Sequence, residues 1–179
     1  MRTPMNILAF AASSSRNSIN KQLVTYAGSL IKDANVEVID INDYEMPLFS
    51  EDREKEPGQP DAAKRFLKKI GEADALLISF AEHNGSYTAA YKNLYDWASH
   101  IEQKVYQGKP MVLLAASPGP GGAANVLQTA KTSMPFFGGE VKADLSLARF
   151  YDIFDTEAQQ LTDAEAQAKL EAALASLSG

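Results

Sequence analysis

The stretch "NILAFAASSSRNSINKQLV", residues 6–24, decides the fold, because an apolar run leads through a polar turn directly into a helical pattern. Residues 6–12 are almost continuously apolar, which is typical of a strand that is covered on both faces. After the turn, apolar residues recur at helical spacing, at Ile19, Leu23, Ala27, Leu30 and Ile31. A buried strand followed at once by an amphipathic helix is the repeating unit of a parallel α/β sheet.

The same alternation of strand and helix occurs five times. Four further apolar runs are predicted to be strands, namely 35–41, 73–80, 110–116 and, less distinctly, 139–147. The final helix is predicted to begin with a capping box at Thr162 and Glu165. Five such units favour a flavodoxin-like three-layer α/β sandwich over the six-stranded dinucleotide-binding fold. The predicted sheet is parallel, has the strand order 2-1-3-4-5 and carries helices on both faces.

The composition excludes several classes of function. A length of 179 residues suits one domain, and the net charge of −6 argues against nucleic acid or an acidic membrane as the partner. Because the chain has no cysteine and only two histidines, which are far apart, neither thiolate catalysis nor a metal site is predicted. No apolar run is long enough to span a bilayer, and the N-terminal run is too short for a signal peptide, so we expect a cytoplasmic protein.

One segment fits neither the strand nor the helix pattern. Residues 42–61, "NDYEMPLFSEDREKEPGQPD", are polar and rich in proline, and they are predicted to form a long loop. A loop of this length in a compact domain is either functional or part of an interface, or it is an exposed and mobile excursion. The residues alone leave both interpretations open.

Ligands of open α/β sheets bind beyond the carboxyl ends of the strands, near the point where the strand order reverses. The loops after the first, third and fourth strands therefore belong together. The first of them places hydrogen-bond donors beside a helix N-terminus, at Ser13, Ser15, Arg16, Ser18 and Asn20. This arrangement suits a phosphate monoester, although a single serine that caps the helix is the simpler alternative. The loop lacks the G-x-x-x-x-G-K-[ST] motif, so ATP hydrolysis is not predicted.

The loop after the third strand combines a polar turn with aromatic residues. The turn consists of Glu82, His83, Asn84, Gly85 and Ser86, and the aromatic residues after it are Tyr87, Tyr91 and Trp97. Hydrogen-bond donors next to apolar ring surface suit a planar heterocycle. The alternative is an ordinary Asn-Gly turn with a structural histidine. No nucleophile is visible near His83, so this histidine is not predicted to act as a catalytic base.

The loop after the fourth strand, "ASPGPGGAANV" (116–126), matches G-x-G-x-x-A at Gly119, Gly121 and Ala124. We discount a dinucleotide fingerprint, because that motif normally follows the first strand and is supported by an acidic residue at the end of the next strand. Glu140 lies instead where the next strand begins. A glycine-rich loop that lets a ligand ring approach the backbone is the preferred interpretation.

Together these loops resemble the motifs of the NAD(P)H-dependent FMN reductase family, the flavodoxin-like group that includes quinone, azo-dye and chromate reductases. The family pattern G-S-x-R-x-x-S-x-N is similar to residues 12–20, "ASSSRNSIN". The pattern P-E-Y-N-x-S-x-P-G-x-L-K-N is similar to residues 81–93, "AEHNGSYTAAYKN", and S-x-G-x-x-G-G is close to residues 117–122. The resemblance covers nearly the whole chain in the order of its strands and helices.

The chain departs from these patterns at a few positions. Ala12 replaces a glycine, and Ser15 replaces an arginine, whose role the adjacent Arg16 can take. In the second pattern, Ala81 replaces a proline, and Thr88 and Ala89 replace Pro-Gly. His83 stands where the family has a tyrosine beside the flavin ring, which implies an altered substrate preference, an altered flavin potential, or both.

The resemblance implies a single FMN-binding domain over residues 1–179, with FMN as cofactor and NADPH or NADH as co-substrate. The flavin would carry the chemistry, so no catalytic side chain is implied. The residues implied to bind FMN are Ser13, Ser15, Arg16, Ser18 and Asn20 at the phosphate, Glu82, His83, Asn84, Gly85 and Ser86 along the isoalloxazine ring, and Ser117 and Gly119 on its other side.

The implied activity is that of an oxidoreductase, which passes two electrons by a ping-pong mechanism from NAD(P)H to a quinone, an azo compound, a flavin or a similar small acceptor. The family is usually dimeric or tetrameric, which implies a homodimer or homotetramer with partner contacts from residues 42–61 and from the third predicted helix. Two alternatives share the fold: a flavodoxin-type electron carrier without its own substrate, and a flavin-free regulatory or scaffold domain.

Overall fold

A five-stranded parallel sheet forms the centre of the computed structural model, which describes residues 3–178. Its strands are β1 (Met5–Ala12), β2 (Ala34–Ile39), β3 (Ala75–Phe80), β4 (Pro110–Ala116) and β5 (Glu140–Leu147). The strand order is β2-β1-β3-β4-β5, and every pairing in this sheet is parallel. The predicted sheet and its order 2-1-3-4-5 are confirmed.

Helices cover both faces of this sheet, as predicted. They are α1 (Ile19–Ser29), α2 (Glu51–Lys55), α3 (Asp61–Glu72), α4 (Ala89–Ile101), α5 (Ala124–Ser133), α6 (Phe150–Ile153) and α7 (Ala164–Ala175). Helices α1 and α7 pack on one face, and α3, α4 and α5 pack on the other. A small antiparallel pair, β6 (Phe154–Asp155) and β7 (Gln160–Leu161), precedes α7 and was not predicted. Over residues 3–178, no helix is both long and apolar enough to cross a membrane.

The hydrophobic core consists of two layers, because alternate residues of β1 point to opposite faces of the sheet. Leu8 and Phe10 belong to the same cluster as Phe66 of α3, whereas Ile7 packs in the other cluster with Leu23 of α1. All six residues of β3 are buried. Since both faces of the sheet are covered, the ends of the strands are the places where a ligand can reach it.

The predicted long loop over residues 42–61 contains regular structure. It begins within a 3-10 helix, Ile41–Tyr44, and α2 lies near its middle. The predicted second strand therefore ends early, at Ile39. No residue of α2 is buried, so this helix carries no apolar periodicity from which the sequence could have revealed it.

Residues 46–50 lie between these two helices and run along α4. Asn93 Oδ1 accepts a hydrogen bond from the backbone N–H of Phe49 at 2.8 Å, and the indole N–H of Trp97 donates to the carbonyl of Pro47 at 2.7 Å. The side chain of Leu48 is nevertheless 70% exposed. This segment is therefore fixed to α4 while it presents one large apolar side chain to solvent.

The predicted capping box at the start of α7 is wrong. The N-cap is Asp163, whose carboxylate accepts the backbone N–H of Ala166 at 2.9 Å. Glu165 instead forms an ion pair with Lys169 at 3.0 Å. Thr162 and Asp163 are both favourable cap residues, and only the local backbone decides which of the two takes the position.

Candidate functional site

The three loops singled out above meet at the carboxyl edge of the sheet. They follow β1, β3 and β4, which are adjacent strands, and they comprise residues 13–18, 81–88 and 117–123. We call them the first, second and third loops. Because these strands are parallel and neighbouring, their ends bring the loops to one place despite their separation in sequence.

The first loop exposes hydrogen-bond donors that the protein itself does not use. Within residues 3–178, the backbone N–H groups of Ser14, Arg16 and Asn17 make no hydrogen bond, and the exposed Arg16 side chain makes neither a hydrogen bond nor an ion pair. The loop is folded locally, because Ser15 donates its N–H to Ser13 Oγ at 3.3 Å. This set of unpaired donors fits an anion.

Ser18 is the N-cap of α1. Its Oγ accepts the backbone N–H of Lys21 at 3.4 Å, so the capping alternative is confirmed for this one serine. The hydroxyl acts only as an acceptor within residues 3–178, which leaves its hydrogen available to a ligand. Capping therefore does not compete with anion binding at this residue, and it explains none of the other donors.

Asn20 faces inward, because its side chain is only 1% exposed. Its Oδ1 accepts hydrogen bonds from Ser79 Oγ at 2.7 Å and from the backbone N–H of Ala116 at 3.0 Å, and its Nδ2 donates to the carbonyl of Ala116 at 3.2 Å. A ligand outside the protein cannot contact this side chain. The structure thus does not support the predicted contact between the Asn20 side chain and a phosphate, and only its backbone N–H lies at the start of α1.

The second loop is a two-residue hairpin turn. His83 and Ser86 exchange backbone hydrogen bonds of 3.0 and 3.1 Å, and Asn84 and Gly85 between them have φ angles of 53° and 77°. Two consecutive positive φ angles define a type I′ turn, which favours Asn-Gly. The turn is exposed, and over residues 3–178 the N–H groups of Asn84 and Gly85 make no hydrogen bond.

Ser117 shapes the third loop from within. Its hydroxyl donates to the carbonyl of Gly119 at 3.1 Å and accepts the N–H of Gly122 at 2.8 Å, so its hydrogen is used within the loop. A Cβ at Gly119 or Gly121 would meet nothing within 4 Å, whereas at Gly122 it would lie 2.3 Å from Ser146 Oγ. The open backbone at the tip of the loop is the part that a ligand can approach.

Two side chains connect the loops to one another. The Glu82 carboxylate accepts the N–H of Val126 at 2.7 Å, in the first turn of α5, whose N-cap Ala123 supplies no side-chain hydrogen bond. The Thr88 hydroxyl donates to the carbonyl of Ala12 at 3.0 Å and caps α4 at the same time. Glu82 thus joins the second loop to the start of α5, directly after the third loop, and Thr88 joins the second loop to the end of β1.

A row of tyrosines begins in the second loop and continues along α4. The rings of Tyr87, Tyr91, Tyr95 and Tyr106 follow one another, with centroid distances of 5.0, 5.9 and 6.0 Å. Burial raises the pKa of all four hydroxyls above the ordinary value of 10.0. Since phenols with raised pKa stay neutral, this row of rings is uncharged and holds no base.

Sequence reasoning missed Ser79, Thr88 and Arg149. A threonine directly before an amphipathic helix is a cap signal that could have identified Thr88. Arg149 follows β5 and lies beside the third loop, where its backbone N–H donates to the carbonyl of Gly119 at 2.9 Å. Its exposed side chain makes no hydrogen bond or ion pair within the described part of the chain. No sequence signal marks Ser79 or Arg149, because their neighbours at the site are distant in the chain.

The fold and the site define a flavodoxin-like protein, with a loop of unpaired hydrogen-bond donors beside an exposed hairpin and an open glycine loop. The family model described as NADPH-dependent FMN reductase matches residues 5–150. The chain belongs to this family, as its motifs indicated. It is therefore an enzyme of the NAD(P)H-dependent FMN and quinone reductase class, with FMN as its cofactor.

Relatives agree with this assignment, and a solved structure agrees with the fold. An NAD(P)H-dependent FMN reductase of Pseudomonas aeruginosa is 30% identical over 166 residues, which cover 91% of this chain and 88% of that protein. A 2-hydroxy-1,4-benzoquinone reductase of a Burkholderia species is 36% identical over 67% of this chain and 64% of its own length. The flavoenzyme NAD(P)H:(acceptor) oxidoreductase FerB from Paracoccus denitrificans superimposes with a TM-score of 0.79 over 97% of both chains, at 22% identity, which shows the shared fold.

Proposed function

We propose that this protein binds FMN across the three loops and passes two electrons by a ping-pong mechanism from NADPH or NADH to a small acceptor, such as a quinone, an azo compound or a free flavin. The unused donors of the first loop carry the proposal, because they lie at the same edge as the exposed hairpin and the open glycine loop. Relatives named for FMN and quinone reduction support the same donor and acceptor classes.

The first loop would hold the single phosphate of FMN. A phosphate offers several acceptor oxygens and negative charge, which match free backbone N–H groups, serine hydroxyls and a guanidinium at a helix N-terminus. Its ligands would be the N–H groups of Ser14, Arg16 and Asn17, the hydroxyls of Ser13, Ser15 and Ser18, and the guanidinium of Arg16. Arg16 would take the role that the family pattern gives to an arginine at position 15.

The ring system would lie between the second and third loops. Glu82, His83, Asn84, Gly85 and Ser86 would line one side, and Gly119 the other. The free N–H groups of Asn84 and Gly85 would donate to the polar edge of the ring and favour negative charge there. The N–H of Ser86 has no such role, because it donates to the carbonyl of His83.

Bound FMN supplies the two-electron chemistry, since it can take a hydride from NAD(P)H and return two electrons to an acceptor. The chain's own residues bind and orient the donor and the acceptor beside it. Tyr87 in the second loop and the buried Tyr91 behind it offer aromatic surface and no charged group. If donor and acceptor use the same open side, the first must leave before the second binds, which is the basis of the ping-pong proposal.

Arg149 is suited to receive a phosphate of the nicotinamide co-substrate. Arg53 and Arg65 are occupied, since Arg53 donates to the carbonyl of Leu48 and Arg65 pairs with Asp61. Within residues 3–178, Arg149 has no such partner and stands beside the third loop. A free guanidinium at this edge matches the phosphates of NADPH or NADH.

Two measurements on the purified protein test the proposal. Titration with FMN is expected to give a bound flavin with a perturbed visible spectrum, and the loaded protein is expected to oxidise NADPH or NADH continuously when a benzoquinone is present. Initial rates at several fixed quinone concentrations should give parallel double-reciprocal lines. A protein that binds no FMN would refute the proposal, and one that binds FMN but shows no steady oxidation would be a flavodoxin-type carrier instead.

We also propose that the protein forms a homodimer or homotetramer through residues 46–50 and α4. Leu48 is 70% and Ile101 of α4 is 38% exposed, so this side of the molecule presents large apolar side chains to solvent. Light scattering after size exclusion should give a mass of two or four chains, and Leu48→Asp should lower it. A monomeric mass for the unaltered protein at micromolar concentration would contradict this proposal.

A further inference from the structure

We propose that Asn20 is a positioning residue, which fixes the three loops of the site relative to one another through a single buried amide. This inference rests on the proposed function, since it assigns a role within the FMN site. Asn20 stands in the first turn of α1, directly after the first loop. Its partners Ser79 and Ala116 are near or at the ends of β3 and β4, just before the second and third loops.

The hydrogen bonds of this amide are directed to two different strands. Oδ1 accepts from Ser79 Oγ at 2.7 Å and from the N–H of Ala116 at 3.0 Å, while Nδ2 donates to the carbonyl of Ala116 at 3.2 Å. The two contacts with Ala116 form a cyclic pair with the backbone at the last residue of β4. Such a pair requires a donor and an acceptor on two separate atoms of one side chain, which the asparagine amide has, whereas an ionised aspartate has no donor and serine has only one polar atom.

Burial makes these contacts decisive for loop position. Asn20 is 1% and Ser79 is 0% exposed, so water cannot replace a lost partner. A buried polar group left without a partner is costly, and the structure responds by moving it toward solvent. Loss of the Asn20 amide would leave Ser79 Oγ and the backbone of Ala116 without these partners, so the ends of β3 and β4, which lead into the second and third loops, and the start of α1 are expected to shift relative to one another.

The experiment compares Asn20→Ala and Ser79→Ala with Arg16→Ala, a variant that lacks a proposed phosphate ligand but keeps the buried amide. For Asn20→Ala we expect the Kd for FMN to rise about tenfold or more, the equivalent of one lost buried hydrogen bond. The visible circular dichroism of the bound flavin should also change, because the ring-binding loops shift. Arg16→Ala should weaken binding while it leaves that spectrum as in the unaltered protein, since it acts on the phosphate alone.

Hydrogen exchange of the flavin-free protein provides a readout that does not depend on the cofactor. Asn20→Ala is expected to speed exchange in residues 13–18, 81–88 and 117–123 at once, with little change in α7. Ser79→Ala is the milder variant, because it removes one of the three hydrogen bonds, and it should produce the same pattern with a smaller rise in Kd. The double variant should bind FMN no more weakly than Asn20→Ala, because the two residues act as one unit.

Several results would overturn the inference. If Asn20→Ala and Ser79→Ala bind FMN as the unaltered protein does, the amide does not position the site. If Asn20→Ala weakens binding with an unchanged flavin spectrum and unchanged loop exchange, Asn20 does not position the ring-binding loops. If Asn20→Ala does not fold, Ser79→Ala decides by the same criteria. Failure of the proposed function can be told apart from failure of this inference. In that case the unaltered protein itself would bind no FMN, and hydrogen exchange in the flavin-free variants would still test whether Asn20 positions the loops.

Discussion

Replacing Ser18 with aspartate places a negative charge at the proposed phosphate site without removing the helix cap. Aspartate is as good an N-cap as serine, so the stability of α1 should change by only a few tenths of a kcal/mol. A carboxylate about 5 Å from a phosphate charge, at an effective dielectric constant of about 20–40, adds about 2–3 kcal/mol of repulsion. FMN affinity should therefore fall roughly 30- to 150-fold.

The assay is a titration of FMN fluorescence at low salt, with Ser18→Asn as the matched control. Asparagine has the shape of aspartate and also caps helices, but it carries no charge. The difference in Kd between the two variants should shrink at about 1 M salt, because exposed charges are screened over a few ångströms there. Equal affinities of Ser18→Asp and Ser18→Asn for FMN would refute the placement of the phosphate, provided urea unfolding shows both proteins to be equally stable.

Three further substitutions test other parts of the site. Glu82→Ala should lower the free energy of unfolding, measured with urea, by about 1–3 kcal/mol, because it leaves the N–H of the buried Val126 unpaired. Glu82→Gln should lower it less, because the amide oxygen can still accept this hydrogen bond. Arg149→Ala should raise KM for NADPH several-fold in steady-state assays without changing FMN affinity; an unchanged KM would refute its role. Gly122→Ala should lower the melting temperature. Alanine disfavours the φ of 64° at this position, which costs the folded protein roughly 1 kcal/mol, and its Cβ would crowd Ser146 Oγ.

The sheet was predictable because its strands are buried on both faces. The continuous apolar runs at β1, β3 and β4 have no other common explanation when helical patterns alternate with them. Helix α2 was missed for the opposite reason: it buries no residue, so its only sequence signals are the serine cap and the acidic first turn that begin it. Hydrophobic periodicity reports burial, and an element without burial leaves no such signal.

The place of the site was predictable for a topological reason, whereas the direction of each side chain was not. Once the order 2-1-3-4-5 is known, the loops after β1, β3 and β4 must be neighbours, so the donors could be assigned to one edge. Whether a given donor faces a ligand or the protein depends on partners elsewhere in the chain. The Ser117 hydroxyl, for example, donates its hydrogen within its own loop, which no local pattern in the sequence indicates.

Asn20 shows why a count of donors overstates the number of ligand contacts. Its hydrogen-bond partners lie 59 and 96 residues away, at Ser79 and Ala116, and no local pattern connects them. A motif that contains this asparagine is consistent both with a phosphate ligand and with a buried amide that holds three loops. Burial separates the two, because a side chain that is 1% exposed acts on a ligand only through the atoms it positions. An asparagine within a binding motif can therefore be required for binding without contacting the ligand through its side chain.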